Sequence, residues 1–159
     1  IPVLSPHEAL GGRPVNASRA LVLNEGRGQA GLTAAEALLH QGIATEIVTS
    51  DIAVAADLDP TNRSSWYERL GKKDCSFTAA HIVEYVRGCA VTLRNVFDER
   101  VSTRDGIDLI VDWSGCRAND VLIGNWDDHS LEAISIGDCR APRTVEVAIS
   151  EAAAAAKAL

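Results

Sequence analysis

The sequence predicts an α/β fold: a parallel strand–helix–strand unit, an antiparallel meander after it, and a separate strand–turn–helix at the C-terminus. Three observations carry this. An apolar run, Ala20-Leu21-Val22-Leu23, is followed by glycines at 26, 28 and 31 and then by apolar residues at helical spacing. Short strand-like runs broken by turn residues fill positions 82–113. An apolar run at 133–136 leads through Gly137-Asp138-Cys139 into an alanine-rich helical segment.

In the first unit, residues 20–23 read as a buried strand. Leu32, Ala35, Leu38 and Leu39 then share one face of a helix, and Gly42 stops it. Glu46-Ile47-Val48-Thr49 reads as the second strand. This is the first half of a Rossmann-like, dinucleotide-binding unit, and Gly26, Gly28 and Gly31 have its G-x-G-x-x-G spacing. The first glycine permits the tight turn, the second lets a pyrophosphate approach the backbone, and the third lets helix and strand pack closely. The helix N-terminus then offers N–H groups to an anion. These glycines are the candidate residues for NAD(P) or ADP. Two features depart from the pattern. Asn24 and Glu25 stand between the apolar strand and the first glycine, and Glu25 brings negative charge near a phosphate. The place of the acid that holds the adenosine ribose falls on Thr49, with Asp51 two residues late. The pattern therefore specifies the fold and leaves open whether the turn binds a nucleotide or is an empty relic.

The chain has 159 residues, enough for a domain with a real core. With a net charge of −7, a nucleic acid or an anionic membrane surface is not an expected partner. No apolar run approaches the ~18 residues of a membrane span. The first residues, IPVLSPHEALGG, lack the basic segment and apolar core of a signal peptide, so a cytoplasmic protein is expected. They also lack an initiating Met, which suggests a chain that is processed, truncated or cut from something longer. Cys75, Cys89, Cys116 and Cys139 form no C-x-x-C pair, which argues against a zinc site, an iron–sulfur cluster or a redox dithiol in this chain.

Residues 1–19 read as a linker, with Ser5-Pro6-His7-Glu8 opening a short helix that ends at Gly11-Gly12. Residues 50–62 read as surface loop. Ser65 and Glu68 match a capping box, placing a short helix over 66–70 closed by Gly71, with Trp66 and Tyr67 as packing residues. Strands follow at 82–86 and 90–97. Residues 98–106 read as a polar turn, and Asp108-Leu109-Ile110-Val111-Asp112-Trp113 closes the meander. Asp127-Asp128-His129 are adjacent residues in a loop, and such neighbours rarely converge on one ion. Strand 133–136 turns at Gly137 into a helix started by Ala141-Pro142-Arg143, with Val145, Ile149, Ala152 and Ala156 on one face. This element has no place in the first unit's sheet, and its apolar face needs something to dock on. No His, Cys or carboxylate has a partner at useful spacing, so no catalytic residue is assigned.

Three stretches resemble one family. IGDCRAPRTVEVAI is similar to the closing motif of the FAD-binding domain in flavoproteins of the glutathione-reductase fold. DLIVDWSGCRANDVL resembles the junction before it, with Trp113-Ser114-Gly115 in place of A-T-G. VLSPHEALGGRPVNASRALVLNEG through ATEIVTS resembles the start of the NAD-type domain of trimethylamine dehydrogenase and its relatives, among them histamine dehydrogenase and 2,4-dienoyl-CoA reductase. The resemblance covers essentially the whole chain, in the family's order.

It implies a division into a linker (1–19), an NAD(P)-type Rossmann-like domain (20–126) and the C-terminal segment of an FAD-type domain (127–159). Asp138, after Gly137, would hold the sugar or ribityl part of a nucleotide bound mainly by the missing half-domain. The N–H groups near Ala141, Pro142 and Arg143 would face its phosphates or flavin. Read from its residue type alone, Asp138 is a turn residue in an Asx conformation. The family's FMN barrel and iron–sulfur cluster would lie in a larger partner subunit, making a hetero-oligomer. FAD or ADP would be shared with that partner, and electrons would pass to an acceptor such as an electron-transfer flavoprotein. In the family's amine dehydrogenases the corresponding glycine turn is degenerate and uses no NAD. The expected role is thus a non-catalytic small subunit or C-terminal segment of an amine-dehydrogenase-like oxidoreductase. The alternatives are a stand-alone NAD(P)- or ADP-binding module and a scaffold without nucleotide.

Overall fold

A computed structural model describes residues 1–11, 15–26, 28–124 and 133–158. The chain forms two compact units, Ile1–Gly115 and Cys116–Leu159.

The first unit opens with β1 (Val3–Leu4) and α1 (Pro6–Leu10). Ser5 caps α1: its hydroxyl accepts the Glu8 N–H at 3.2 Å, and the Glu8 carboxylate accepts the Ser5 N–H at 2.7 Å. Residues read as a linker thus supply an edge strand, with Val3 and Leu4 in register with Ile110 and Val111. Two residues are too few for any alternation to show in the sequence.

β2 (Arg19–Asn24), α2 (Ala30–His40) and β3 (Ala44–Val48) form the expected strand–helix–strand unit, with the two strands parallel. α2 buries Leu32, Ala34, Ala35 and Leu38. It ends in a Schellman arrangement: the Ile43 N–H reaches the Leu38 carbonyl at 3.1 Å and the Gly42 N–H the Leu39 carbonyl at 3.0 Å, with Gly42 at φ +78°.

α3 (Pro60–Gly71) starts well before residue 66. Asp59 is its cap, accepting the Thr61 and Asn62 N–H groups at 3.0 and 3.1 Å, and Ser65 and Glu68 lie inside the helix. An Asp-Pro pair combines a capping carboxylate with a proline pre-set for the first turn, a stronger start than the capping-box spacing five residues on. The segment before it is not all surface: Val54 and Ala55 are core residues, and the Tyr67 hydroxyl donates to the Val54 carbonyl at 3.2 Å.

After β4 (Ser76–Thr78), which pairs with β3, come β5 (His81–Arg87), β6 (Ala90–Asn95) and β7 (Val101–Arg104). These three make a separate antiparallel sheet in the order β5-β6-β7. β7 falls where a polar turn was expected, because four alternating residues in a polar run leave little pattern. Arg104 ties β7 to the parallel sheet through Glu46, with Nε 2.9 Å from Oε2.

β8 (Leu109–Trp113) does not continue the meander. It enters the parallel sheet between β1 and β2, giving the order β1-β8-β2-β3-β4. Leu109, Ile110 and Val111 are consecutive and all buried, the signature of a strand covered on both faces; a meander strand with one wet face would alternate. One face of the sheet (Ala20, Val22, Ile47, Leu109, Val111) packs on the helices with Leu32, Leu38, Trp66 and Leu70. The other (Leu21, Val48, Ile110) packs on the meander through Val91 and Leu93.

The second unit holds α4 (Val121–Gly124), a 3-10 turn over Gly137–Cys139 and α5 (Val145–Ala158). Ala133 to Ile136 form no strand. The helix starts at Val145 instead of 141, with the Thr144 carbonyl accepting the Val147 and Ala148 N–H groups. Asp127-Asp128-His129 lie outside the described residues. Gly137 is the only buried residue among those described in this unit; Val145 and Ile149 are 68% and 65% exposed.

Candidate functional site

The C-terminal ends of β2 and β8 meet at the point where strand order reverses, since β2 runs on through α2 to β3 on one side and has β8 on the other. In an open α/β sheet this is where a ligand crevice forms. The glycine turn sits there. The Trp113 carbonyl accepts the N–H groups of Glu25 and Gly26 at 2.9 and 2.5 Å. The Trp113 indole lies over Gly26 so closely that a Cβ there would stand 2.5 Å from its ring atoms. A Cβ on Gly31 would stand 2.3 Å from the Asn24 Oδ1, so Gly31 brings α2 onto the end of β2 as its place in the motif requires. Gly28 adopts φ +80° and has open space around it.

Two carboxylates close this edge. Asp57 Oδ2 accepts the Gly28 N–H at 2.7 Å. Glu25 accepts the Ser50 N–H at 2.7 Å and the Ser50 hydroxyl at 2.5 Å, just past the end of β3. Thr49 is buried, and its hydroxyl accepts the Asp51 N–H at 3.2 Å. A dinucleotide's pyrophosphate needs the Gly28 N–H that Asp57 holds and room beside Gly26 that the indole fills. Both places are thus occupied by the chain's own groups. Asp57 was beyond sequence reasoning, because nothing in the motif links Gly28 to a loop residue after the second strand. Elsewhere in this unit, a cleft of about 500 Å³ lined by Pro2, Leu4, Glu8, Val15, Asn16 and Leu109 offers little chemistry, since Glu8 is committed to Ser5. Burial and the nearby Glu46 push the Cys75 thiol up to about 12, so it is not a nucleophile near neutral pH.

The second group of candidate residues lies in the second unit. Gly137 adopts φ +61°, and a Cβ there would meet the Ala148 Cβ at 3.1 Å. Its carbonyl accepts the Arg140 and Ala141 N–H groups, both at 3.0 Å. Asp138 is exposed, and its Oδ1 accepts the Arg143 N–H at 3.3 Å. The Ala141 and Arg143 N–H groups are thus used inside the turn, and Pro142 has none. Cys139 donates its thiol to the Ile136 carbonyl at 2.8 Å. The fit to a flavin's sugar or ribityl chain is chemical: an exposed carboxylate suits hydroxyl groups, at a turn whose φ of +61° favours glycine. Among the described residues no three His, Cys, Asp or Glu side chains gather as a metal site.

No family model and no curated protein matches the sequence. Solved structures do. The chain superimposes on 6-hydroxypseudooxynicotine amine oxidase from Pseudomonas geniculata N1 with a TM-score of 0.75 at 19% identity, over 92% of this chain and 23% of that one. For histamine dehydrogenase from Rhizobium sp. 4-9 the values are 0.72, 20%, 93% and 24%. For a 2-naphthoyl-CoA reductase bound to 2-naphthoyl-CoA they are 0.76, 17%, 92% and 22%. The chain shares its fold with one segment of these enzymes. It spans under a quarter of the length of each.

Proposed function

We propose that this chain is the nucleotide-domain part of a flavin-dependent oxidoreductase related to the amine dehydrogenases, and that its second unit completes an FAD-type lobe whose other half lies in different residues. One observation carries the reading. Among its described residues the second unit has an ordered glycine–aspartate turn and a 14-residue helix, yet only Gly137, which has no side chain, is buried. A unit this small cannot stand without a core, so its apolar residues call for a cover. The fold shared with enzymes named amine oxidase, dehydrogenase and reductase supports the oxidoreductase class.

In this proposal the substrate reacts on FMN in a partner barrel, which also carries an iron–sulfur cluster, and electrons leave to an acceptor such as an electron-transfer flavoprotein in the cytoplasm. This chain binds and orients: Asp138 accepts hydroxyl groups of a shared FAD or ADP, and Gly137 lets the backbone reach it. When bound, that group supplies electron transfer or, as ADP, only structure. The test is to purify the chain with the products of its neighbouring genes or as part of its full polypeptide. A larger flavoprotein that retains it, with flavin or adenine nucleotide released on denaturation, is the expected result. A folded monomer that brings down no flavoprotein overturns the proposal.

A second reading, that the first unit is a scaffold rather than an NAD(P)- or ADP-binding module, is favoured by the Asp57–Gly28 bond and the indole over Gly26. Titration of the chain with NADH, NADPH and ADP then gives no binding tighter than millimolar.

A further inference from the structure

α5 carries a carboxylate that the motif does not predict. Glu151 lies one turn beyond Ala148, the residue that packs on Gly137. Its Oε2 accepts the Gly137 N–H at 2.8 Å. Its Oε1 pairs with the Arg143 guanidinium and lies 3.5 Å from the Arg140 Nη1. The side chain is only 16% exposed. The Gly137 N–H, and then the Arg143 guanidinium, hold its carboxyl below the ordinary glutamate value, so it is ionised at neutral pH.

The charges decide what the turn can take. Arg140 and Arg143 bring two positive charges, and Glu151 and Asp138 bring two negative ones. With Glu151 in place, both guanidinium groups are drawn to the helix side and the turn is neutral. Without it, the turn carries a net positive charge, and the Arg140 guanidinium and the Arg143 Nη groups are released while the Arg143 Nε stays on the Ala141 carbonyl at 3.1 Å, which is the chemistry of a phosphate site.

We propose that Glu151 is the positioning residue of the 137–143 turn: it latches Gly137 against α5 and withholds Arg140 and Arg143, so that the turn presents Asp138 to uncharged hydroxyl groups and rejects phosphate. This rests on the reading that Asp138 faces a flavin or its sugar. Glu151 touches no ligand itself; it acts through Gly137 and the two arginines.

The test uses the chain in its flavoprotein assembly, with Glu151→Gln, Asp138→Asn and the double variant Glu151→Gln/Arg143→Gln. Flavin affinity is read with and without inorganic phosphate, and phosphate binding to the full chain is followed by ³¹P line broadening. Glu151→Gln weakens flavin binding about tenfold, the loss of one charge-assisted hydrogen bond. It also makes that binding sensitive to phosphate, which the unsubstituted protein is not. Adding Arg143→Gln removes the phosphate sensitivity. Loss of structure alone would lower affinity without creating a phosphate site, so that pattern overturns the proposal. If Asp138→Asn weakens flavin binding and Glu151→Gln changes neither readout, Glu151 is not the positioning residue and the reading of Asp138 stands. If Asp138→Asn has no effect, the reading of Asp138 fails, and the ³¹P measurement still decides whether Glu151 masks the arginines.

Discussion

Gly26 has no room for a methyl group, because the Trp113 indole occupies the space a Cβ would need. Gly26→Ala therefore destabilises the first unit by about 1–3 kcal/mol, the usual cost of overpacking. Adding Trp113→Ala recovers part of that loss, a coupling that denaturant unfolding of the four proteins in the cycle measures. Asp57 makes the complementary case. Asp57→Ala frees the Gly28 N–H and removes a negative charge from the turn, so ADP affinity rises in calorimetry; no change would mean that the indole alone closes the crevice. Asp108 gives a pH dependence. Its carboxylate accepts the Ser18 and Arg19 N–H groups at 2.8 and 2.9 Å, and these bonds lower its pKa from 3.8. A carboxylate depressed in the folded state stabilises fully above its unfolded pKa, and that contribution is lost as pH falls through the folded value. Thermal midpoints measured downward from pH 5 fall less steeply in Asp108→Asn than in the unsubstituted chain. The three motif glycines were legible from their spacing, although only Gly28 is held by its own backbone angle, while Gly31 is required by Asn24 and Gly26 by the indole. Asp57, Glu151 and the position of the indole were not, because they reach the turns from elements far away in sequence.

At the scale of elements, what could be read followed length and periodicity. α2 and β2 were legible because eleven and six residues carry a clear pattern between glycine signals. β1, β4 and β7 have two, three and four residues, too few for a pattern to form. β8 had the right strand and the wrong sheet: its consecutive apolar residues mark a strand with two covered faces, and short spacing to its neighbours suggested a meander instead. The start of α3 separates two capping readings. Asp59→Ala lowers the thermal midpoint of the first unit, whereas Ser65→Ala, inside the helix, leaves it nearly unchanged or raises it slightly. The two-faced burial of the sheet gives a second check. Leu21 on the meander side and Leu38 on the helix side are both fully buried, so truncating either to alanine costs about 2–5 kcal/mol. Loss at Leu38 alone would mean that the meander does not cover the sheet in solution.

For the whole molecule, the contrast between the units sets an order of stability. The first holds two packed layers of side chains against a five-stranded sheet. The second relies on local bonds: Glu151 to Gly137 and the arginines, and Asp138 to the Arg143 N–H. Exposed ion pairs and single turns contribute little by themselves, so opening of α5 in the isolated chain costs far less than global unfolding. Hydrogen exchange measures this directly. In the isolated chain the amides of α5 exchange orders of magnitude faster than those of β2 and β8, which lie at the centre of the sheet. In an assembly that covers Val145 and Ile149, the same α5 amides slow toward the rate of the sheet, because burying two large apolar side chains adds roughly 3–6 kcal/mol to the cost of opening. Equal protection of α5 and β8 in the isolated chain would mean that the helix finds its cover within these residues, and the case for a lobe completed from elsewhere would fall with it.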